Sequence, residues 1–197
     1  MMTNDVWYEA VDATTALTQG DIILACPIVR WASKPVSASG TPSDEFGTLQ
    51  ANIEFIKADV VVITQACDLE QHKVQNVILC PHVALNTYKQ AWEIALRSKG
   101  HSPTARAWEK TCEDIKNGYS WNLSMLNESS TEDLPLEHRV VDFHDVFTLP
   151  RTFLETLLQK REDSRLRLRP PYREHLSQAF ARFFMRVGLP AGIRKIW

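Results

Sequence analysis

The residues best placed to do chemistry stand at the end of one apolar run. In Ala58-Asp59-Val60-Val61-Val62-Ile63-Thr64-Gln65-Ala66-Cys67-Asp68-Leu69, four β-branched residues give way to a hydroxyl, an amide, a thiol and a carboxylate. A run of that kind reads as a buried strand. Polar groups at the tip of a rigid strand are held where a ligand can meet them. Two plainer roles compete: Asp68 caps a turn, and Gln65 satisfies loop backbone groups.

The four cysteines, Cys26, Cys67, Cys80 and Cys112, open two further chemistries. Cys67 becomes a nucleophile only if a histidine, His72 or His82, lowers its pKa. Cys26, Cys67, Cys80 and His82 also make an accepted zinc set of three thiolates and one imidazole. The close C-x-x-C pairs that make such a set specific are absent, and Cys26 and Cys80 each precede proline in an apolar run. They therefore read equally as small core residues.

A third chemistry lies near the end of the chain. Arg165-Leu166-Arg167-Leu168-Arg169 alternates strictly. On a strand it puts three guanidiniums on one face, about 7 Å apart, a spacing suited to a phosphate backbone. Tyr172 follows closely enough to stack a base. The competing role is an edge strand guarded by charge against aggregation.

The elements that must position these groups follow from period and punctuation. Residues 6–18 read as a short helix or irregular lead-in, and Gln19-Gly20-Asp21 as a turn. Strands are expected over 22–29, 53–56, 60–65 and 74–82, with Pro27 confining the first to an edge or a bulge. Residues 33–50 read as a long exposed loop. The period then changes to helical around Tyr88, Trp92 and Leu96, stopping at Gly100. A second helix opens with Pro103 in its first turn and ends near Asn117-Gly118. Residues 119–126 return to the sheet, 139–143 form another strand, and 152–159 a short helix. A last helix starts at Pro170-Pro171 and stops at Gly188 and Pro190, with Tyr172, Leu176, Phe180, Phe183, Phe184 and Val187 on one face.

Composition sets the frame. The chain has 197 residues, 44% apolar and 23% charged, enough for a real core in one domain over 1–197. No stretch is apolar enough to span a membrane, and the first residues carry neither a basic start nor an apolar segment, so a reduced, cytoplasmic protein is expected. The net charge of −2 hides a division. Residues 151–197 hold eleven basic and four acidic side chains, and the other 150 hold eleven basic and twenty acidic. Such a basic region suits a polyanion or packs on its own acidic body. No Walker A loop, G-x-G-x-x-G, H-E-x-x-H or G-x-S-x-G is present.

Two segments resemble the MazF/PemK toxin family. Gln19-Gly20-Asp21-Ile22-Ile23 is similar to that family's opening of glycine, aspartate and strand. Val60 to Gln65, followed by Val77-Ile78-Leu79-Cys80-Pro81-His82, is similar to its valine-rich strand, polar tip and next strand ending at proline. The resemblance covers residues 19–85. It implies an α+β fold with an SH3-like, mostly antiparallel barrel. The barrel core would lie at about 19–84 and 119–145, with a helical insertion at 85–118 and a basic, helical C-terminal region at 150–197. It also implies a toxin or defence-type protein that acts on RNA without a metal or cofactor and forms homodimers. In that frame Asp68 is the base for a 2′-hydroxyl proton, Thr64 and Gln65 position, Arg30 supplies charge, and Arg165, Arg167, Arg169 and Tyr172 grip the strand. The family's catalytic arginine before the valine-rich strand is replaced here by Ala58-Asp59, so a degenerate, non-cleaving relative is implied as readily as a ribonuclease. The alternative is a non-catalytic module that binds a partner protein through its aromatic last helix.

Overall fold

The computed structural model describes residues 6–32, 45–131 and 133–185. In chain order the elements are β1 (Tyr8–Val11), β2 (Ile22–Trp31), α1 (Glu45–Ala51), β3 (Ile53–Val62), α2 (Ala66–Glu70), β4 (Asn76–Ala84), α3 (Leu85–Ser98) and α4 (Ala105–Lys116). Then follow β5 (Leu123–Leu126), β6 (Arg139–Asp142), β7 (Phe147–Pro150), α5 (Arg151–Arg161), β8 (Arg165–Leu168) and α6 (Tyr172–Phe184).

The valine run works as a strand because both of its faces are covered. Val60 and Val62 enter one core with Cys26, Val77, Leu79 and, from α5, Leu154 and Leu158. Val61 and Ile63 enter the other with Cys80, Val141, Phe143, Leu168 and Leu176. A strand buried on both faces needs no polar alternation. The two strands expected at 53–56 and 60–65 are one, β3, which ends before Thr64.

The main sheet has the order β2-β3-β4-β6-β5, all pairs antiparallel, with β7 also on β4. β4 carries β3 on one edge and shares the other between β7 and β6. His82 faces Val141, while Leu79 faces Phe147, so the chain puckers between β6 and β7. β1 and β8 form a separate ribbon, joined to the start of β2 by a bridge between Asp21 and Arg167. Tyr8 Oη donates to the Asn127 carbonyl at 2.8 Å, just past β5. The ribbon thus stands between the two outer strands, and the sheet is not closed into a barrel. The α+β, mostly antiparallel expectation holds at that coarser level.

Several local expectations change. The lead-in at 6–18 contains β1, because Tyr8 to Val11 find a partner strand at the other end of the chain. The loop expected over 33–50 contains the start of α1, and its residues 33–44 lie outside the described residues. The bend in β2 falls just before Pro27, where the register shifts between Ile23 and Cys26 and Ala25 adopts φ +47. α4 is capped by Thr104, whose Oγ1 accepts from Ala107 N at 3.2 Å, so Pro103 precedes the helix. The expected stop of the last helix at Gly188 and Pro190 lies outside the described residues. Among the described residues, no helix is long and apolar enough to cross a membrane.

α6 is docked by its apolar face. Leu176 is buried, and Phe180 meets Phe143 edge-on at 5.6 Å. Each such side chain, fully buried, is worth about 1.5–3 kcal/mol. Gly20 lets the helix and ribbon come close: it has φ +85, and a Cβ there would lie 3.0 Å from Leu168 Cβ and 3.2 Å from Arg173 Cβ.

Candidate functional site

The strand tip gathers only part of the expected set. Thr64 is buried, and its Oγ1 accepts from Ile78 N at 2.7 Å, so its hydroxyl ties β4 to the tip. Gln65 is exposed and precedes α2 without a side-chain cap. Cys67 Sγ lies 3.8 Å from both Gln65 Oε1 and Asp68 Oδ1. Arg30 stands elsewhere. It pairs with Glu54 at 3.0 Å, and Glu54 is eight residues before Val62 on β3, about 26 Å along a strand. The structure therefore brings Gln65, Cys67 and Asp68 together and leaves Arg30 at the other end of β3.

The cysteines separate as well. Cys26 and Cys80 belong to different cores, on opposite faces of the sheet, while Cys67 is exposed. Burial pushes the Cys26 thiol up to about 11 and the Cys80 thiol up to about 12, as expected of inert core residues. Among the described residues, no three His, Cys, Asp or Glu side chains gather to hold a metal.

The alternating arginines occupy a strand, β8, but turn inward. Asp21 is fully buried and sits between two of them. Arg165 Nε donates to Asp21 Oδ2 at 2.9 Å, and Arg167 Nε donates to Oδ1 at 2.5 Å. Arg165 also donates to the carbonyls of Asp12 and Thr15 at 2.9 and 2.8 Å. A buried carboxylate needs such partners, and it takes the guanidiniums away from solvent. Arg169 alone of the three is exposed.

A second buried polar chain gave little sign of itself in the sequence. Asp59 Oδ1 accepts from Ala25 N at 2.8 Å, at the bend in β2. Arg139 Nη2 donates to Asp59 Oδ2, and Arg139 Nε donates to His82 Nδ1 at 2.6 Å. Accepting at Nδ1 places the proton of a neutral His82 on Nε2, which is buried. Burial first, and then the Arg139 charge, pull the His82 pKa down to about 3, against the opposing pull of Asp59 and the Val60 backbone. The signal in the sequence was a carboxylate, Asp59, directly before the valine run of β3.

The groups that face solvent together lie elsewhere, in a cleft of about 570 Å³ between the end of α4, β5 and α6. Ile115, Leu126 and Leu176 form its apolar floor. One wall is Trp7 stacked on Tyr172, ring centroids 4.1 Å apart and planes at 12°. Lys116, His138, His175 and Arg182 also line it and, among the described residues, no Asp or Glu does. His138 meets one carboxylate, with Nδ1 3.7 Å from Glu128 Oε2. Helical spacing assembles the α6 side, since Tyr172, His175, Ala179 and Arg182 recur by three, four and three. Gly118, at φ +72, keeps the α4 side open, because a Cβ there would sit 3.3 Å from Arg182 Nη2. Tyr172, expected as a base-stacking residue, is thus in a cleft with cations, although not those of β8.

A larger cavity, of about 720 Å³, lies between the bend in β2 and the α5–β8 connection. Its lining includes Asp133, Glu162 and Asp163, and its Arg161 donates to the carbonyls of Leu24 and Ala25 at 2.7 Å. It therefore lacks the one-signed character of the first cleft. No family model, no curated protein and no solved structure matches this chain.

Proposed function

We propose that this protein binds single-stranded nucleic acid in the cleft between α4, β5 and α6, without cleaving it. The observation that carries this reading is the cleft's lining: Lys116 and Arg182, two imidazoles from His138 and His175, a ring stack and, among the described residues, no carboxylate, in a protein of net charge −2. Cations hold phosphates, and ring faces accept bases of any sequence. In its finer form the reading makes the chain a degenerate relative of the MazF/PemK toxins, on an opened SH3-like sheet. Two observations favour binding over cleavage. Arg30 is remote from Asp68, and Asp59, standing where that family has its arginine, engages Arg139.

The test is binding of labelled single-stranded RNA and DNA, with and without EDTA, over a salt series. We expect salt-sensitive binding and intact oligonucleotides. Cleavage that is lost in Asp68→Asn would overturn the non-cleaving part, and no binding at low salt would overturn the whole. A second reading, a module that binds a partner protein, is favoured by Phe184 and Met185, 57% and 77% exposed at the end of α6. Its mark would be a protein partner lost on Phe184→Ser while nucleic acid stays unbound.

A further inference from the structure

We infer that the binding track continues past the cleft onto the α3–α4 hairpin, where Trp108 and Lys89 make a second base and phosphate subsite. This rests on the nucleic-acid reading of the first cleft. His138 lines both the first cleft and a neighbouring hollow of about 280 Å³. That hollow is also lined by Leu85, Asn86, Lys89, Trp108 and Glu137. The two hollows therefore adjoin, with an imidazole at their junction.

The second hollow repeats the chemistry of the first. Trp108 is supported by Trp92 and Tyr88, with ring centroids at 5.2 and 6.2 Å, and remains half-exposed. Lys89 Nζ hangs 5.7 Å from its ring centroid. An exposed cation–π contact is weaker than base–aromatic stacking, so a base displaces the ammonium from the ring and leaves it free for the adjoining phosphate. Asn86 offers an amide to a base edge. Among the described residues, Glu137 is the only carboxylate in the lining of either hollow, and it opposes the strand there. A ligand that fills both hollows must be several nucleotides long and unpaired, because a duplex keeps its base faces stacked.

The experiment is fluorescence anisotropy of the full chain with labelled oligouridylate and oligo-dT, from a dinucleotide to about ten nucleotides, near the usual range of single-strand site sizes. Affinity should rise with length and then level off. Trp108→Leu should weaken the longest probes about tenfold, a typical stacking loss, and leave the dinucleotide unchanged. Lys89→Glu, which keeps the ring, should follow the same length pattern if Trp108→Leu disturbs the hairpin. Glu137→Gln should tighten only the long probes. Length-independent binding, or equal losses at all lengths in Lys89→Glu, would overturn the second subsite while leaving the first standing. No binding of any probe would overturn both.

Discussion

Arg165 and Arg182 both belong to the basic end of the chain, and they meet opposite fates. Arg165 is 5% exposed and gives its donors to Asp21 and the carbonyls of Asp12, Thr15 and Ala16. Arg182 is exposed, in a cleft lined by no carboxylate among the described residues. Of the alternating arginines, Arg165 and Arg167 turn inward and Arg169 is exposed, as Arg182 is. A strand's period decides which side chains share a face. Whether that face meets water is decided by what it is packed against, here one buried carboxylate.

The strongest way to break this contrast is Asp21→Ala. It leaves two guanidiniums in the protein without their anion, and should lower stability by about 3–5 kcal/mol in urea denaturation. A loss below about 1 kcal/mol would mean that Arg165 and Arg167 find water easily.

Arg139, also held inside, offers a pH test through His82. The folded ring stays neutral down to about pH 3, whereas the unfolded ring takes a proton near pH 6.5. The unfolded chain thus binds the extra proton. This contribution is constant above about pH 6.5 and turns against folding as pH falls toward about 3, by at most about 1.4 kcal/mol per pH unit. The slope of stability between about pH 6 and pH 4 should flatten in His82→Gln relative to the parent. An unchanged slope would mean that His82 already titrates normally in the fold.

On the outer side, Arg182→Glu should weaken oligonucleotide binding about tenfold by anisotropy and shift stability by less than about 0.5 kcal/mol. The smallest effect is expected for Arg30→Ala. Its exposed pair with Glu54 is worth about 0–1 kcal/mol, and at the remote end of β3 it should leave binding unchanged in the same titration. A binding loss in Arg30→Ala would restore Arg30 to the interface.

What was legible in the sequence was local. The run at Val60–Ile63, the spacing of Leu176, Phe180 and Phe183, and the alternation at Arg165–Leu168 each specify an element through neighbours in the chain. β1 was not legible, since the four residues from Tyr8 form a strand only beside Leu168. α1 was hidden by the small and polar residues that precede it. Of the candidate site, Tyr172 was found because it follows a basic strand. Lys116, His138 and Trp7 were missed because they converge only after three distant segments fold. Asp59 was read as the loss of an arginine, when its carboxylate faces one eighty positions away.

The contact between Asp21 and Arg165 spans 144 positions of chain. During synthesis the carboxylate leaves the ribosome long before either of its arginines. At roughly 5–20 residues per second the delay is on the order of ten seconds. Through that interval the first strands of the sheet can pair, yet their buried acid stays solvated and the ribbon has no second strand. Completion of the fold therefore waits on β8, and a chain halted before Arg165 should remain a substrate for proteases.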